Sequence, residues 1–305
     1  MADNKNRIDN KTKGIICILI AAFGFSLMTF FVRLSGNVPT MEKAFFRNAF
    51  AAVVSFILLK REGEKFHIKH ENRKDLFFRC LFGTSGLIAN FYAIDKIGIA
   101  DANMLNKLSP FFAILLSIPI LKEKPKKVDV LTTVVAFLGA LLIVRPGSGL
   151  SNTFPALIGL YGGFGAGIAY VFVRRLGSKG EKTPVIVLCF SLFSSAVCIP
   201  FIIPVFVPLT PKQLMFLILA GLAATMGQFG ITSAYKFAPA KEISVFDYTQ
   251  VVFAALLGVS FLHEVPVLLS IAGYAIIIGV AVFRWRYNLY LDRKDNNVEN
   301  SLKIQ

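Results

Sequence analysis

The sequence has no Gly-x-x-x-x-Gly-Lys-Ser/Thr stretch and therefore no phosphate-cradling loop, so ATP hydrolysis by this chain is not expected. It has no His-Glu-x-x-His pattern, and its three histidines, His67, His70 and His263, fall in loops between apolar runs. A zinc site, or any other resident metal or cofactor, is therefore not expected. The four cysteines, Cys17, Cys80, Cys189 and Cys198, lie inside apolar runs without Cys-x-x-Cys spacing, and read as small buried hydrophobes rather than disulfides or ligands. Acidic residues are scarce, 18 against 33 Lys and Arg, for a net charge of +15. In a soluble protein that excess would suggest nucleic acid as a partner, but here the cations sit between apolar runs rather than along one face, so no nucleic-acid partner is expected. Also missing is any long polar stretch that could fold as a sensing, signalling or catalytic domain. A receptor or scaffold role loses its basis, and the chain is read as not an enzyme.

What the sequence has instead is apolar length. Hydrophobic residues make up 55% of its 305 residues, and the mean hydropathy is +0.64, too apolar for a domain that must cover its core in polar side chains. Runs at 14–32, 41–59, 76–94, 99–121, 127–144, 154–173, 184–207, 212–235, 240–262 and 266–283 come close to the roughly 20 residues that cross the hydrocarbon layer as a helix. The first run follows Lys5, Arg7, Lys11 and Lys13, as a signal peptide would, but it is long, Phe-rich and without a small-x-small cleavage pattern, so it reads as a retained first helix.

Orientation follows from the cations. With the N-terminus inside, roughly 25 Lys and Arg fall in inner loops and tails and about five, Arg33, Lys43, Lys96, Arg145 and Lys212, on the opposite face. Both termini are therefore expected in the cytoplasm, and ten spans satisfy the even count this requires. The expected location is the cell (cytoplasmic) membrane, multi-pass, with membrane lipid and a small-molecule substrate as partners.

The chain repeats itself at an offset of 141 residues. Phe23-Gly24 and Phe31-Val32-Arg33 recur as Phe164-Gly165 and Phe172-Val173-Arg174. Thr84 and Gly86 match Thr225 and Gly227, and Phe112, Leu121, Glu123 and Pro125 match Phe253, Leu262, Glu264 and Pro266. Each repeat holds five spans, so the second enters the membrane from the other side. The expected fold is an all-α integral membrane protein, ten transmembrane helices as two inverted five-helix repeats at 14–146 and 154–284, flanked by cytoplasmic tails at 1–13 and 285–305. Inverted repeats suit a secondary transporter, because two oppositely oriented halves can exchange conformations around a shared midplane site.

The chain also resembles a known family. Ala44-Phe45-Phe46-Arg47, Arg79 at the opening of the third span, Leu108-Ser109-Pro110-Phe111-Phe112 leading to Leu121 and Glu123, and Leu262-His263-Glu264 are similar to the drug/metabolite transporter superfamily, in its ten-helix branch with two EamA domains. The resemblance covers about 14–284 and implies that fold, with amino acids, nucleotide-like metabolites or drugs as substrates. Lys107, with Asn103 and Asn106, departs from the small apolar residues that many members carry there.

Three cations lie within spans, where each costs at least about 2.5–3.5 kcal/mol on insertion scales. Arg79, one turn from the inner end of its span, is expected to snorkel to the headgroups. Lys107 shares one helix face with Asn103, Asn106 and Pro110, and the proline frees a carbonyl that only a protein-lined or watered cavity tolerates. That face is either a substrate site or one side of a structural ion pair. Arg47 begins about 10 Å from the outer end of its span by helical rise, at a depth similar to Lys107 and Asn90, so the three could receive a carboxylate or phosphate; alternatively Arg47 pairs with Glu42 or nearby carbonyls. The one deep acid is Asp247, beside Tyr248 and Gln250, either a partner for a substrate amine or a coupling proton, or a helper to neighbouring hydroxyls. At the repeat offset Asp247 answers to Asn106 and Tyr248 to Lys107, which by helical rise sets Asp247 and Lys107 about 10 Å apart along the membrane normal, too far for a permanent salt bridge unless the helices shift. Gly159, Gly163 and Gly167, spaced by four, read as a close-packing stripe, and Gln228, Tyr170, Tyr161 and Tyr235 as further contacts. The expected function is secondary transport of a small polar metabolite across the cytoplasmic membrane by alternating access; the alternatives are export of cationic drugs and, further off, a membrane-embedded enzyme.

Overall fold

A computed structural model describes residues 2–61, 66–97, 99–144, 153–262 and 268–304. Arg145, His263, Glu264 and Pro266, named above, lie outside the described residues. The described residues are mostly helical, with no strand among them. In order come α1 (Ala2–Leu34), α2 (Thr40–Arg61), α3 (Arg73–Ile97), α4 (Ile99–Asn106), α5 (Ser109–Leu121), α6 (Lys127–Val144), α7 (Thr153–Ser178), α8 (Thr183–Ile202), α9 (Pro211–Phe237), α10 (Ala240–Ile243), α11 (Thr249–Leu262) and α12 (Leu268–Ile304). Helices are what lipid demands, because a spanning backbone must satisfy its N–H and C=O groups within itself. Among the described residues, six segments are apolar and long enough to cross on those grounds alone: Asn10–Leu34, His70–Ile94, Thr153–Ser178, Thr183–Val205, Pro211–Phe237 and Ala240–Phe261. The other spans are α2, α6, α12 and the pair α4–α5. Large apolar side chains such as Phe56, Leu131, Leu192 and Phe261 stand exposed on the outside of the bundle, an array that water would not tolerate on a soluble protein and that lipid covers.

The fourth and ninth spans are broken. Pro110 has no N–H to donate, and the chain passes from α4 to α5 through a turn at Lys107 and Leu108. Between α10 and α11 the backbone tightens into a 3-10 segment over Ser244–Tyr248.

Packing is symmetric about an in-plane pseudo-twofold axis. The offset of 141 relates α1 to α7 and α3 to α9, and the two extensive crossings α1 with α9 and α3 with α7 are equivalents of each other. Both crossings are made by the repeated glycines. A side chain at Gly24 would meet the backbone N of Gly227 at 2.7 Å, and one at Gly165 would meet Cα of Gly86 at 2.9 Å. Gly24 and Gly165 are repeat mates, as are Gly86 and Gly227, so the glycines matched in sequence are those that let helices of opposite halves touch backbone to backbone. α2 packs on α8 and α6 on α12, pairs that the axis carries onto themselves.

Both termini lie at one face of the bundle, since Lys11 of α1 pairs with Glu242 at 3.9 Å and Arg284 of α12 donates to the carbonyl of Lys241 at 3.1 Å. At this terminal face ion pairs tie one half to the other: Glu123 to Arg174 at 3.7 Å, Asp75 to Lys179 at 2.6 Å and to Arg175 at 3.3 Å, and Asp129 to Arg284 at 2.7 Å with both side chains buried. Glu123 sits in the connection after α5, where burial pushes its carboxyl pKa up against the pull of Arg174. Between the ordinary glutamate value and the raised one, the folded state therefore holds more protons than the unfolded chain. Stability contributed there falls as pH rises through that window. Melting curves taken at intervals between about pH 4 and 7 are expected to show this slope in the wild type and a flatter one in Glu123→Gln; an unchanged slope would mean that the group titrates normally.

Candidate substrate site

Where the two broken spans cross, side chains of both halves meet. The Lys107 ammonium donates to Gln250 Oε1 at 2.6 Å, to Asp247 Oδ2 at 3.1 Å and to the Asp247 carbonyl at 3.4 Å, so all three of its N–H donors have acceptors. In return the Tyr248 hydroxyl donates to the Lys107 carbonyl at 2.8 Å. These contacts exist because the breaks expose carbonyls that a continuous helix would keep for itself. Ser26 of α1 closes the cluster, its Oγ 2.8 Å from the carbonyl of Gln250.

The expected 10 Å separation of Lys107 and Asp247 is therefore wrong. Lys107 and Tyr248 are repeat mates and touch, which residues related by a twofold axis do only beside that axis. For an in-plane axis that means the midplane for both. Counting helical rise along unbroken spans misplaces them, since the 3-10 segment climbs about 2.0 Å per residue instead of 1.5 Å and the long lysine stem covers the rest.

The seat of this crossing is the glycine stripe of α7. A side chain at Gly163 would meet the carbonyl of Leu105 at 2.5 Å, one at Gly159 the Leu105 side chain at 2.9 Å, and one at Gly167 the carbonyl of Ser109 at 2.8 Å. The stripe thus presses on α4 and α5 on both sides of the break. Asn106 lies against Gly163, while Asn103 is half-buried one turn earlier, its carbonyl accepting from the Lys107 N–H at 2.9 Å.

Arg79 does not snorkel. It is 3% exposed, its guanidinium lies 3.9 Å from the centre of the Phe190 ring, and it occupies the space over Gly83, one turn further into the membrane. Helical side chains ordinarily lean toward the N-terminus, which for α3 is the terminal face. The bare backbone at Gly83 and the flat face of Phe190 let this one turn inward, and Gly83 four residues on was the signal in the sequence.

Arg47 of α2 lies 5.6 Å from the Phe25 ring centre and does not take Glu42, whose carboxylate accepts from the Val207 N–H at 2.9 Å. Tyr170 stacks on Tyr235 with ring centres 4.6 Å apart, and Tyr235, only a weak candidate from sequence, is fully buried beside Ser244. Asn90 packs against Gly162 of α7 with its Oδ1 buried and without a partner. Gln228 is buried beside Gly227 and reaches Thr232 at 3.4 Å. Tyr161 stays at the surface, 3.0 Å from Ser85. Lys107, Asp247, Tyr248 and Gln250 thus form one cluster, while Arg47 and Arg79 face separate rings, Phe25 and Phe190, and Tyr170 stacks on Tyr235. The four cysteines are free thiols, two buried and two half-buried.

Comparison with known proteins follows the same outline. The EamA-like transporter family matches the chain twice, over residues 12–145 and 153–285. The pseudopaline exporter CntI of Pseudomonas aeruginosa is 33% identical over 277 residues, covering 90% of this chain and 96% of its own. Solute carrier family 35 member G1 of Mus musculus is 28% identical over 290 residues, covering 89% and 79%. A solved crystal structure at 17% identity superposes with a TM-score of 0.77 over 88% of this chain and 95% of that one, which extends the likeness to the fold. Ten spans in two inverted halves, each matched by the same family, show that the chain belongs to the EamA-like transporters of the drug/metabolite transporter superfamily, membrane proteins that carry small molecules.

Proposed function

We propose that this chain carries a small anionic or zwitterionic metabolite across the cytoplasmic membrane by alternating access, with the basic terminal face in the cytoplasm. The observation that carries the reading is the Lys107–Asp247 pair, bonded at 3.1 Å where two broken spans from opposite halves cross. A pair held between the halves breaks or re-forms when they rock, and broken helices offer backbone groups to a substrate. Around it Arg47, Asn90, Asn103, Asn106, Gln228, Tyr170, Tyr248 and Gln250 supply hydrogen-bonding contacts. The moving bodies in this reading are the halves 14–146 and 154–284. The ion pairs of the terminal face belong to the state closed toward the cytoplasm, and their release opens it.

Export is the direction favoured, because a relative matched over nearly its full length is named an exporter. Export of organic cations is the weaker reading, since the acid it would use, Asp247, is already engaged by Lys107. The test is flux in proteoliposomes loaded with amino acids, dicarboxylates, nucleotides or cationic drugs, with and without a pH gradient. Uptake or release of an anionic or zwitterionic compound above that of empty liposomes is expected. Movement of organic cations alone would overturn the substrate class, and no movement of any compound would overturn the carrier reading.

A further inference from the structure

At the terminal face the loop between α2 and α3 grips the end of α7 and the loop after it. Asp75, in the first turn of α3, takes the Lys179 ammonium at 2.6 Å and the Arg175 guanidinium at 3.3 Å. Just before it the buried Asn72 donates to Glu181 Oε2 at 2.7 Å, and Lys69 donates to the Lys179 carbonyl at 3.4 Å. Every one of these links joins the first half to the second. Asp75 and Glu181 are only 5% and 3% exposed, so water does not readily replace their partners, and bonds to an ionised carboxylate are the stronger kind.

The repeat tells what stands at the equivalent positions of the opposite face. The offset of 141 carries Asp75 to Phe216, Arg175 to Leu34, Lys179 to Val38 and Glu181 to Thr40, none of them charged. Lys69 and Asn72 answer to Thr210 and Gln213, which bond to each other: the Thr210 N–H donates to Gln213 Oε1 at 2.9 Å, and the Gln213 N–H to Thr210 Oγ1 at 3.3 Å. Positions that reach across to the other half at the terminal face thus close a helix cap within their own half at the opposite one. With perfect repeats the states closed at either face would be equal in free energy, because exchanging the conformations of the halves turns one into the other. Links made at one face alone break that balance in favour of the state closed there.

We propose that Lys69, Asn72 and Asp75 with Arg175, Lys179 and Glu181 form a one-sided clasp that makes the state closed at the terminal face the resting state of the empty carrier, so that a solute enters from that face only after its release. The inference rests on the carrier reading, in which the halves rock. Asp75 is the hub, since its one carboxylate answers two cations at the end of α7. The Arg175 and Lys179 side chains remain 41% and 32% exposed, so salt reaches the pairs from the cation side and weakens them.

The test is distance measurement between paired spin labels on the full-length protein in liposomes, with its four free cysteines replaced by alanine. One pair of labels sits at Lys74→Cys and Ser178→Cys, exposed positions flanking the clasp. The other sits at their repeat mates Met215→Cys and Asn37→Cys, exposed at the opposite face. With no other change, a short distance is expected to dominate at the terminal face and a long one at the opposite face. Asp75→Asn is expected to move the ratio of the two populations about tenfold toward the reverse pattern, the terminal pair lengthening as the opposite pair shortens, whereas the exposed Lys127→Gln leaves both unchanged. Raising salt from about 0.05 to 1 M is expected to act in the same direction; it needs no further substitution, so it decides the matter should Asp75→Asn fail to fold. Unchanged distances overturn the clasp. So does lengthening at the terminal face without shortening at the other, which is loosening rather than a change of state. Distances that exchange in a protein that moves no solute would refute the carrier reading and leave the clasp standing; flux with distances indifferent to Asp75→Asn and to salt would do the reverse.

Discussion

Lys107→Ala and Asp247→Asn are each expected to reduce transport at least tenfold and to melt well below the wild type, whereas the double variant Lys107→Met/Asp247→Asn regains most of the stability and none of the transport. The Lys107 ammonium and the Asp247 carboxylate are nearly enclosed, with side chains 13% and 9% exposed. Removing one partner leaves the other charged and unpaired in low dielectric, at a cost of about 3–5 kcal/mol. Removing both charges leaves no ion to strand, and replacing a buried pair by apolar groups of similar volume is often neutral. A purely structural pair would therefore let the double variant work as well as it folds. A pair that takes part in the transport cycle would not. Melting temperature and liposome flux measured on the same four proteins separate the two, and wild-type flux in the double variant would remove Lys107 and Asp247 from the site.

The second large effect concerns the helix crossings. Gly24→Ala, Gly165→Ala and Gly163→Ala are each expected to lose on the order of 1–3 kcal/mol, and Gly24→Ala with Gly165→Ala together to prevent folding. In every case the added Cβ runs into backbone of another helix, at 2.7 Å for Gly24, 2.8 Å for Gly165 and 2.5 Å for Gly163. Backbone cannot swing aside as a flexible side chain can, so the helices must separate. The sign of the effect is informative because alanine is the better helix former by about 0.8–1.0 kcal/mol. Gly279 of α12, where an added Cβ meets nothing within 4 Å, shows that gain alone, and Gly279→Ala is expected to melt at or above the wild type. Equal melting temperatures for Gly24→Ala and Gly279→Ala would sink the account of the crossings. Gly163→Ala has a further consequence, since it displaces the break at Lys107 and is expected to lower flux by more than its loss of stability accounts for.

The repeat illustrates what symmetry supplies and what it leaves open. Phe23-Gly24 and Phe164-Gly165 were recognisable in sequence as mates, as were Gly86 and Gly227, yet nothing in one dimension says that Gly24 meets Gly227 rather than Gly165. Helices of opposite halves had to pack before the same residues became contact points. The site, by contrast, is built from breaches of the symmetry. Asn106 and Asp247 are mates, as are Lys107 and Tyr248, but each pair differs in chemistry, and only the difference allows an ion pair and a hydroxyl-to-carbonyl bond across the axis. Arg79 shows the same limit from another side. Its place in the third span was plain, but the direction of its side chain depended on the space over Gly83 and on Phe190, more than a hundred residues away.

By itself the sequence determined the solvent, the number of spans, the inverted halves and which polar residues lie at depth, because each follows from apolar length and a periodic match along one chain. Only the tertiary structure decided that Lys107 is bound by Asp247 instead of free for substrate, that Arg79 turns inward onto Phe190, and that the repeated glycines are the hinges of contact between the halves. The physical reason is that these facts depend on distances between helices. Helical rise fixes depth along one span to within a few ångströms, but a broken helix changes that rise, and the axis on which two breaks meet exists only once both halves have packed.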